Sequence, residues 1–133
     1  MRVNAILYVV YLWNSNSVCY TKSIECGIRQ RCDNRIRSKS KLGDVEEWKL
    51  INLDDYKSGN IHPFHIHVND FQVISVNGKP YEAHGLQDTV IIPTNGEVVI
   101  RIPFKDFVGK TVYHCHLMFQ GDQAMMGVVQ IVE

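Results

Sequence analysis

Residues 97–104 read EVVIRIPF, and this stretch decides the fold class of the chain. Val98, Ile100 and Ile102 lie two residues apart, with the charged Arg101 between the last two. Successive side chains of an extended segment point to opposite faces, so the three apolar residues share one face. This alternation is typical of a half-buried β-strand.

The same signature recurs on both sides of this stretch. VEEWKLIN, FQVISV, TVII, TVYHCH and MGVVQIV are rich in Val, Ile and aromatic residues, and turn-forming segments such as NGKP, PTNG and KDFVGK separate them. Six strands at this spacing predict an all-β fold, specifically a Greek-key β-sandwich. The pattern weakens before residue 45, which leaves open whether N-terminal strands are missing and a sheet edge is exposed.

Length and composition indicate one domain preceded by a basic segment. The chain has 133 residues, of which 45% are hydrophobic and 21% charged, as expected for one globular core. Residues 1–41 carry eight Lys/Arg against two Asp/Glu, whereas residues 42–133 carry six against twelve. This asymmetry predicts a boundary near Lys41.

The basic segment allows several interpretations. Arg2 precedes an apolar run over residues 5–13 and then small residues at Ser15 and Ser17, a pattern that fits either a signal peptide or an ordinary strand. A signal peptide would predict a secreted or periplasmic protein. The run is too short to cross a bilayer, so no membrane span is expected.

Two further features of the segment are ambiguous. The run RQRCDNRIRSKSK is interpreted as disordered and solvated rather than as a nucleic-acid contact. Cys19, Cys26 and Cys32 could hold one disulfide and a spare thiol, or none. The whole segment could also be the remnant of a rearranged or truncated gene.

Two histidine motifs point to a metal. HPFHIH spans residues 62–67, HCH spans residues 114–116, and Met125 follows ten residues after Cys115. A lone HxH pair is more often free of metal, but a thiolate with imidazoles and a thioether is the ligand set that selects copper. Structural zinc sites more typically show CxxC pairs, which this chain lacks.

Strand parity divides these ligands between two sites. Residues an even number apart share a face, so the two segments in register would form an imidazole cluster on one face and a mononuclear site on the other. The predicted cluster contains His65, His67, His114 and His116. The predicted mononuclear site contains His62, Cys115 and Met125.

At these motifs the sequence resembles the C-terminal cupredoxin domain of the multicopper oxidases, the family that includes the laccases. The resemblance runs from about Gly43 to the end, 91 of 133 residues. It implies a cupredoxin-like sandwich with copper as cofactor. It also implies a type 1 copper at His62, Cys115 and Met125, a type 2 copper at His65, and a type 3 pair at His67, His114 and His116. Cys115, His114 and His116 would then carry electrons between the sites.

The sequence departs from the family pattern HCHxxxH, because Gln120 stands where the last histidine completes the type 1 site. An amide oxygen is a harder and weaker copper ligand than an imidazole nitrogen. Three states are open: Gln120 coordinates through its oxygen, a water takes the position, or the type 1 site is lost. Ala124 also replaces the glycine that precedes the axial methionine, a mild change unless the backbone needs a positive φ.

The resemblance further implies partners. The trinuclear cluster of this family is built between two domains that each supply two HxH pairs, and this chain has only HIH and HCH. We therefore expect another cupredoxin domain or subunit, a small reducing substrate and dioxygen, without turnover by this chain alone. The alternative is a non-catalytic copper-binding domain or a degenerate fragment. His84 is interpreted as a solvated loop residue, and Asp70 and Asp88 as turn residues or partners of a ligand imidazole.

The substitution at position 120 generates a test. Gln120→His should restore a conventional type 1 ligand set, so the copper-loaded variant should gain an intense thiolate-to-copper absorption in its visible spectrum. The wild-type chain is the control. Absence of that band in a folded variant would count against the predicted ligand set.

Overall fold

The computed structural model describes residues 8–13, 17–22, 36–52, 61–82, 84–115 and 126–133. These residues form eleven strands and no helix, so none of them belongs to a helix able to cross a membrane. The strands are β1 (Tyr8–Trp13), β2 (Ser17–Lys22), β3 (Ile36–Lys41), β4 (Val45–Asn52), β5 (His62–Ile66), β6 (Gln72–Val76), β7 (Lys79–Pro80), β8 (Thr89–Ile92), β9 (Glu97–Pro103), β10 (Gly109–Cys115) and β11 (Met126–Val132).

The strands form two sheets. One sheet has the order β2-β1-β4-β9-β6-β7, and the other has the order β3-β11-β10-β5-β8. From β4 onward the chain passes repeatedly from one sheet to the other, which is typical of a Greek-key sandwich. The predicted all-β sandwich is confirmed.

The basic N-terminal segment contributes strands to both sheets. β1 pairs parallel with β4, and β3 pairs parallel with β11. The expectation of disorder is therefore wrong for Ile36–Lys41, because backbone pairing with β11 orders a segment whose side chains give little hydrophobic signal. Tyr8–Trp13 forms β1, which agrees with the interpretation of the apolar run as a strand. The described residues thus include strands that precede β4 in both sheets.

The core lies between the sheets and is rich in aromatic residues. Trp48 of β4 makes edge-to-face contacts with Tyr113 of β10 at a centroid distance of 5.6 Å and with Phe64 of β5 at 6.5 Å. Phe64 and Tyr113 stack on each other at 5.7 Å. Such ring pairs contribute about 0.5–1.5 kcal/mol each beyond the burial of their area. Val98, Ile100 and Ile102 are fully buried against this cluster, as their alternation predicts.

The aromatic core sets which side of β5 and β10 faces outward. Along β5, His62, Phe64 and Ile66 are buried, whereas His65 is only partly buried. In β10, Tyr113 is buried and the next residue, His114, is partly buried. A slip of one residue would exchange these faces, so burial of the rings fixes the register that exposes the histidines.

Candidate metal centre

Three histidines meet on the outer face of the second sheet. The backbone register sets His65 of β5 directly opposite His114 of β10. His67 follows the end of β5 and completes the group, in which one ring nitrogen from each histidine lies within 4.8 Å of those from the other two. The ring centroids are 4.9–5.3 Å apart. This is three of the four members of the predicted imidazole cluster.

The ring of His65 is oriented by β8. Its Nδ1 lies 2.9 Å from the backbone carbonyl oxygen of Asp88 and 3.1 Å from Oγ1 of Thr89. A carbonyl oxygen can only accept, so Nδ1 carries the proton and donates. In the neutral ring, Nε2 then holds the lone pair that a metal requires, the tautomer that metal-ligating histidines usually have.

His67 and His114 approach each other through the same ring atom. Their Nε2 atoms are 3.1 Å apart. Two imidazole nitrogens bound to one first-row metal ion at about 2.0–2.1 Å would lie roughly 3 Å apart. The separation therefore suits a shared metal ion. Without a metal it suits a hydrogen bond from one ring to the other.

The predicted mononuclear site is described only in part. His62 is fully buried in β5, on the opposite face of the sheet from His65. Cys115 pairs through its backbone with Phe64, which lies two residues from His62, so position 115 falls on the His62 face. The Cys115 side chain, together with His116, Gln120, Ala124 and Met125, lies outside the described residues. Their roles stay predictions.

His84 is exposed in a loop and is separate from the group of three histidines. This agrees with its interpretation as a solvated residue.

Known proteins are similar in sequence to this domain. A family model described as multicopper oxidase matches residues 12–133. The chain is 36% identical over 102 residues to the multicopper oxidase mco of Staphylococcus aureus. The matched region covers 75% of this chain and 23% of that protein. It is 38% identical over 100 residues to the bilirubin oxidase of Albifimbria verrucaria, covering 70% of this chain and 17% of that protein.

Solved structures show the same relationship. The crystal structure of a multicopper oxidase from Pediococcus acidilactici superposes with a TM-score of 0.83 at 28% identity, covering 100% of this chain and 28% of that one. A multicopper oxidase from Campylobacter jejuni, described as a metallo-oxidase, superposes with a TM-score of 0.77 at 27% identity. That match covers 100% of this chain and 31% of the other. The two sheets thus define a cupredoxin-like domain.

The chain belongs to the multicopper oxidase family. It spans less than a quarter of the length of the two relatives above. Copper is the cofactor of this family, and the donor set fits it: three imidazoles converge, one with its second nitrogen hydrogen-bonded to a carbonyl. Among the described residues, His65, His67 and His114 are thus the group that could hold a metal ion.

The sequence identified the histidines but not the groups that orient them. Asp88 does contact the His65 ring, but through its backbone carbonyl. Its carboxylate Oδ1 lies 3.8 Å from Nδ1 of His65 and accepts a hydrogen bond from the Thr89 hydroxyl. The Thr89 contact was missed, although pairing of β8 with β5 brings Thr89 opposite His65. No sequence pattern specified that pairing.

The carbonyl contact changes what substitution of Asp88 should do. Asp88→Asn keeps the backbone acceptor and removes the charge of a side chain that is 59% exposed. Loss of that charge should weaken copper binding by about 0–1 kcal/mol, which is no more than roughly fivefold in affinity. Competition with a chelator would measure the affinity, with His65→Ala as the reference for loss of the ring. A loss as large as that of His65→Ala would contradict the carbonyl-based orientation.

Proposed function

We propose that this chain is a copper-binding cupredoxin domain of a multicopper oxidase, in which His65 serves a type 2 copper and His67, His114 and His116 serve a type 3 pair. When bound, copper supplies one-electron oxidation of a small reducing substrate coupled to reduction of dioxygen. The other half of the trinuclear cluster comes from a cupredoxin domain or subunit with two further HxH pairs.

One observation carries the proposal: the imidazole cluster lies on an open sheet surface. His67 is exposed, and His65 and His114 are only partly buried. Ile91 is 54% exposed and neighbours Pro63 on the same outer face. A metal held there would keep coordination positions facing solvent, and apolar side chains beside it are suited to contact with a second domain. This supports a cluster completed by a partner.

The assignment of His67 and His114 to one copper rests on their Nε2 separation of 3.1 Å. A proton between the two Nε2 atoms has to leave that position when both nitrogens bind copper, and a neutral ring then carries its proton on Nδ1.

His62, Cys115 and Met125 are proposed as the type 1 ligands, with Gln120 at the position of the missing histidine. Cys115 is bonded through the backbone to both His114 and His116, so its thiolate has a short covalent route to the imidazole cluster. In this proposal electrons enter near His62 and leave through the rings of His114 and His116. A secreted or periplasmic location belongs to the same proposal and rests on the N-terminal sequence alone.

The second candidate is a copper-binding domain without catalytic function, or a degenerate fragment, and Gln120 favours it. Loss of the type 1 site would leave an imidazole cluster that binds copper but receives no electrons through Cys115. The two candidates differ in whether the wild-type chain shows a thiolate-to-copper absorption.

A copper titration of the full chain tests the imidazole cluster. We expect His65→Ala, His67→Ala and His114→Ala each to weaken Cu²⁺ binding by at least about tenfold, because each removes one converging nitrogen. His84→Ala is the matched control, since His84 is exposed and outside the group. Chelator competition gives the affinity, and electron paramagnetic resonance gives the number of coupled imidazole nitrogens.

Two outcomes would overturn the assignment. If His84→Ala weakened binding as much as the three cluster variants, the copper would be bound non-specifically by surface histidines. If the cluster variants bound copper as tightly as the wild type, the site would lie elsewhere in the chain.

A further inference from the structure

The chain makes an unusual turn directly after His67. The amide of Asn69 donates to the carbonyl oxygen of His67 at 2.8 Å, closing a three-residue γ-turn around Val68. The φ of Val68 is +69°, in the left-handed region that β-branched residues strongly disfavour. His67, a member of the imidazole cluster, therefore leads into a strained turn.

The packing of Val68 does little to hold this turn, because the residue is 65% exposed. The stabilising contacts instead converge on the His67 backbone. Its carbonyl oxygen also accepts from Oγ1 of Thr111 at 2.8 Å and from Nδ2 of Asn69 at 3.3 Å. Its amide donates to the carbonyl of Val112 at 2.9 Å. Hydrogen bonds to the backbone of one residue, His67, thus offset the strain.

Thr111 links the His67 backbone to the strand that carries His114, the ring whose Nε2 approaches that of His67. Thr111 is 3% exposed, so its hydroxyl donates in a buried setting where the hydrogen bond is worth most. It lies on β10, three residues before His114, whose Nε2 is 3.1 Å from that of His67. One strand therefore supplies both a ligand ring and the hydroxyl that fixes the backbone of the opposing ring.

We propose that Thr111 is a positioning residue, whose hydroxyl holds the His67 carbonyl in the γ-turn and so keeps the two Nε2 atoms at the separation that one copper ion requires. This inference rests on the proposed copper cluster. Outer groups that orient metal ligands typically change metal affinity by about 10–100-fold when they are removed.

The test compares one substitution that removes the hydroxyl with one that keeps it, in the full chain and with Cu²⁺ alone as the probe. Thr111→Val replaces the hydroxyl with a methyl group and should weaken copper binding roughly tenfold. Thr111→Ser keeps the hydroxyl and should retain the wild-type affinity. Chelator competition measures both, and the thermal unfolding midpoint of the metal-free proteins records any change in the fold.

A double-mutant cycle distinguishes positioning from a general structural effect. If Thr111 acts through His67, then Thr111→Val should cost no further affinity in a His67→Ala background. An equal loss in both backgrounds, or unchanged affinity of Thr111→Val, would overturn the proposal. Thr111→Ala serves if Thr111→Val does not fold, and failure of both hydroxyl-free variants to fold would overturn a role confined to positioning.

The proposed function fails in a different way. If copper binding by the wild-type chain does not depend on His67 and His114, the cluster assignment is wrong, whatever Thr111 does. If binding depends on both histidines but not on the Thr111 hydroxyl, only the positioning role is wrong.

Discussion

Contact of Trp48 with Phe64 and Tyr113 is the constraint on which the candidate metal centre depends. These rings lie in the core between the sheets, and a Phe or Trp truncated there would cost about 3–5 kcal/mol. Because side chains alternate along a strand, burial of Phe64 forces His65 outward, and burial of Tyr113 does the same for His114. His65 and His114 are therefore held in place by the hydrophobic effect acting on their neighbours.

Backbone carbonyls then refine the cluster that packing has assembled. The Asp88 carbonyl fixes the tautomer of His65, and the three donors on the His67 carbonyl fix the path of the chain beyond β5. Both sets of hydrogen bonds are accepted by backbone carbonyl oxygens, so they do not depend on the side chain of the residue that carries the carbonyl. That explains how an exposed acidic residue can matter to the site without its carboxylate touching the ring.

Much of this arrangement could be predicted from the sequence because side chains alternate between the two faces of a strand. Alternation along residues 97–104 identified the buried face of β9, and parity placed His65 and His114 on a common face. Other features depend on contacts distant in sequence: β3 is polar and basic, and only pairing with β11 makes it a strand. The turn at Val68 could not be predicted either, since a valine is among the residues least expected at a positive φ. The sequence also predicts a second metal site at His62, Cys115 and Met125, from strand parity and from the family resemblance, and this site stays a prediction.

Anomalous diffraction at the copper edge from crystals of the copper-loaded chain would locate the metal. We expect a copper peak within bonding distance of Nε2 of both His67 and His114, on the outer face of the sheet. Copper bound at other residues, with those two nitrogens uncoordinated, would contradict it.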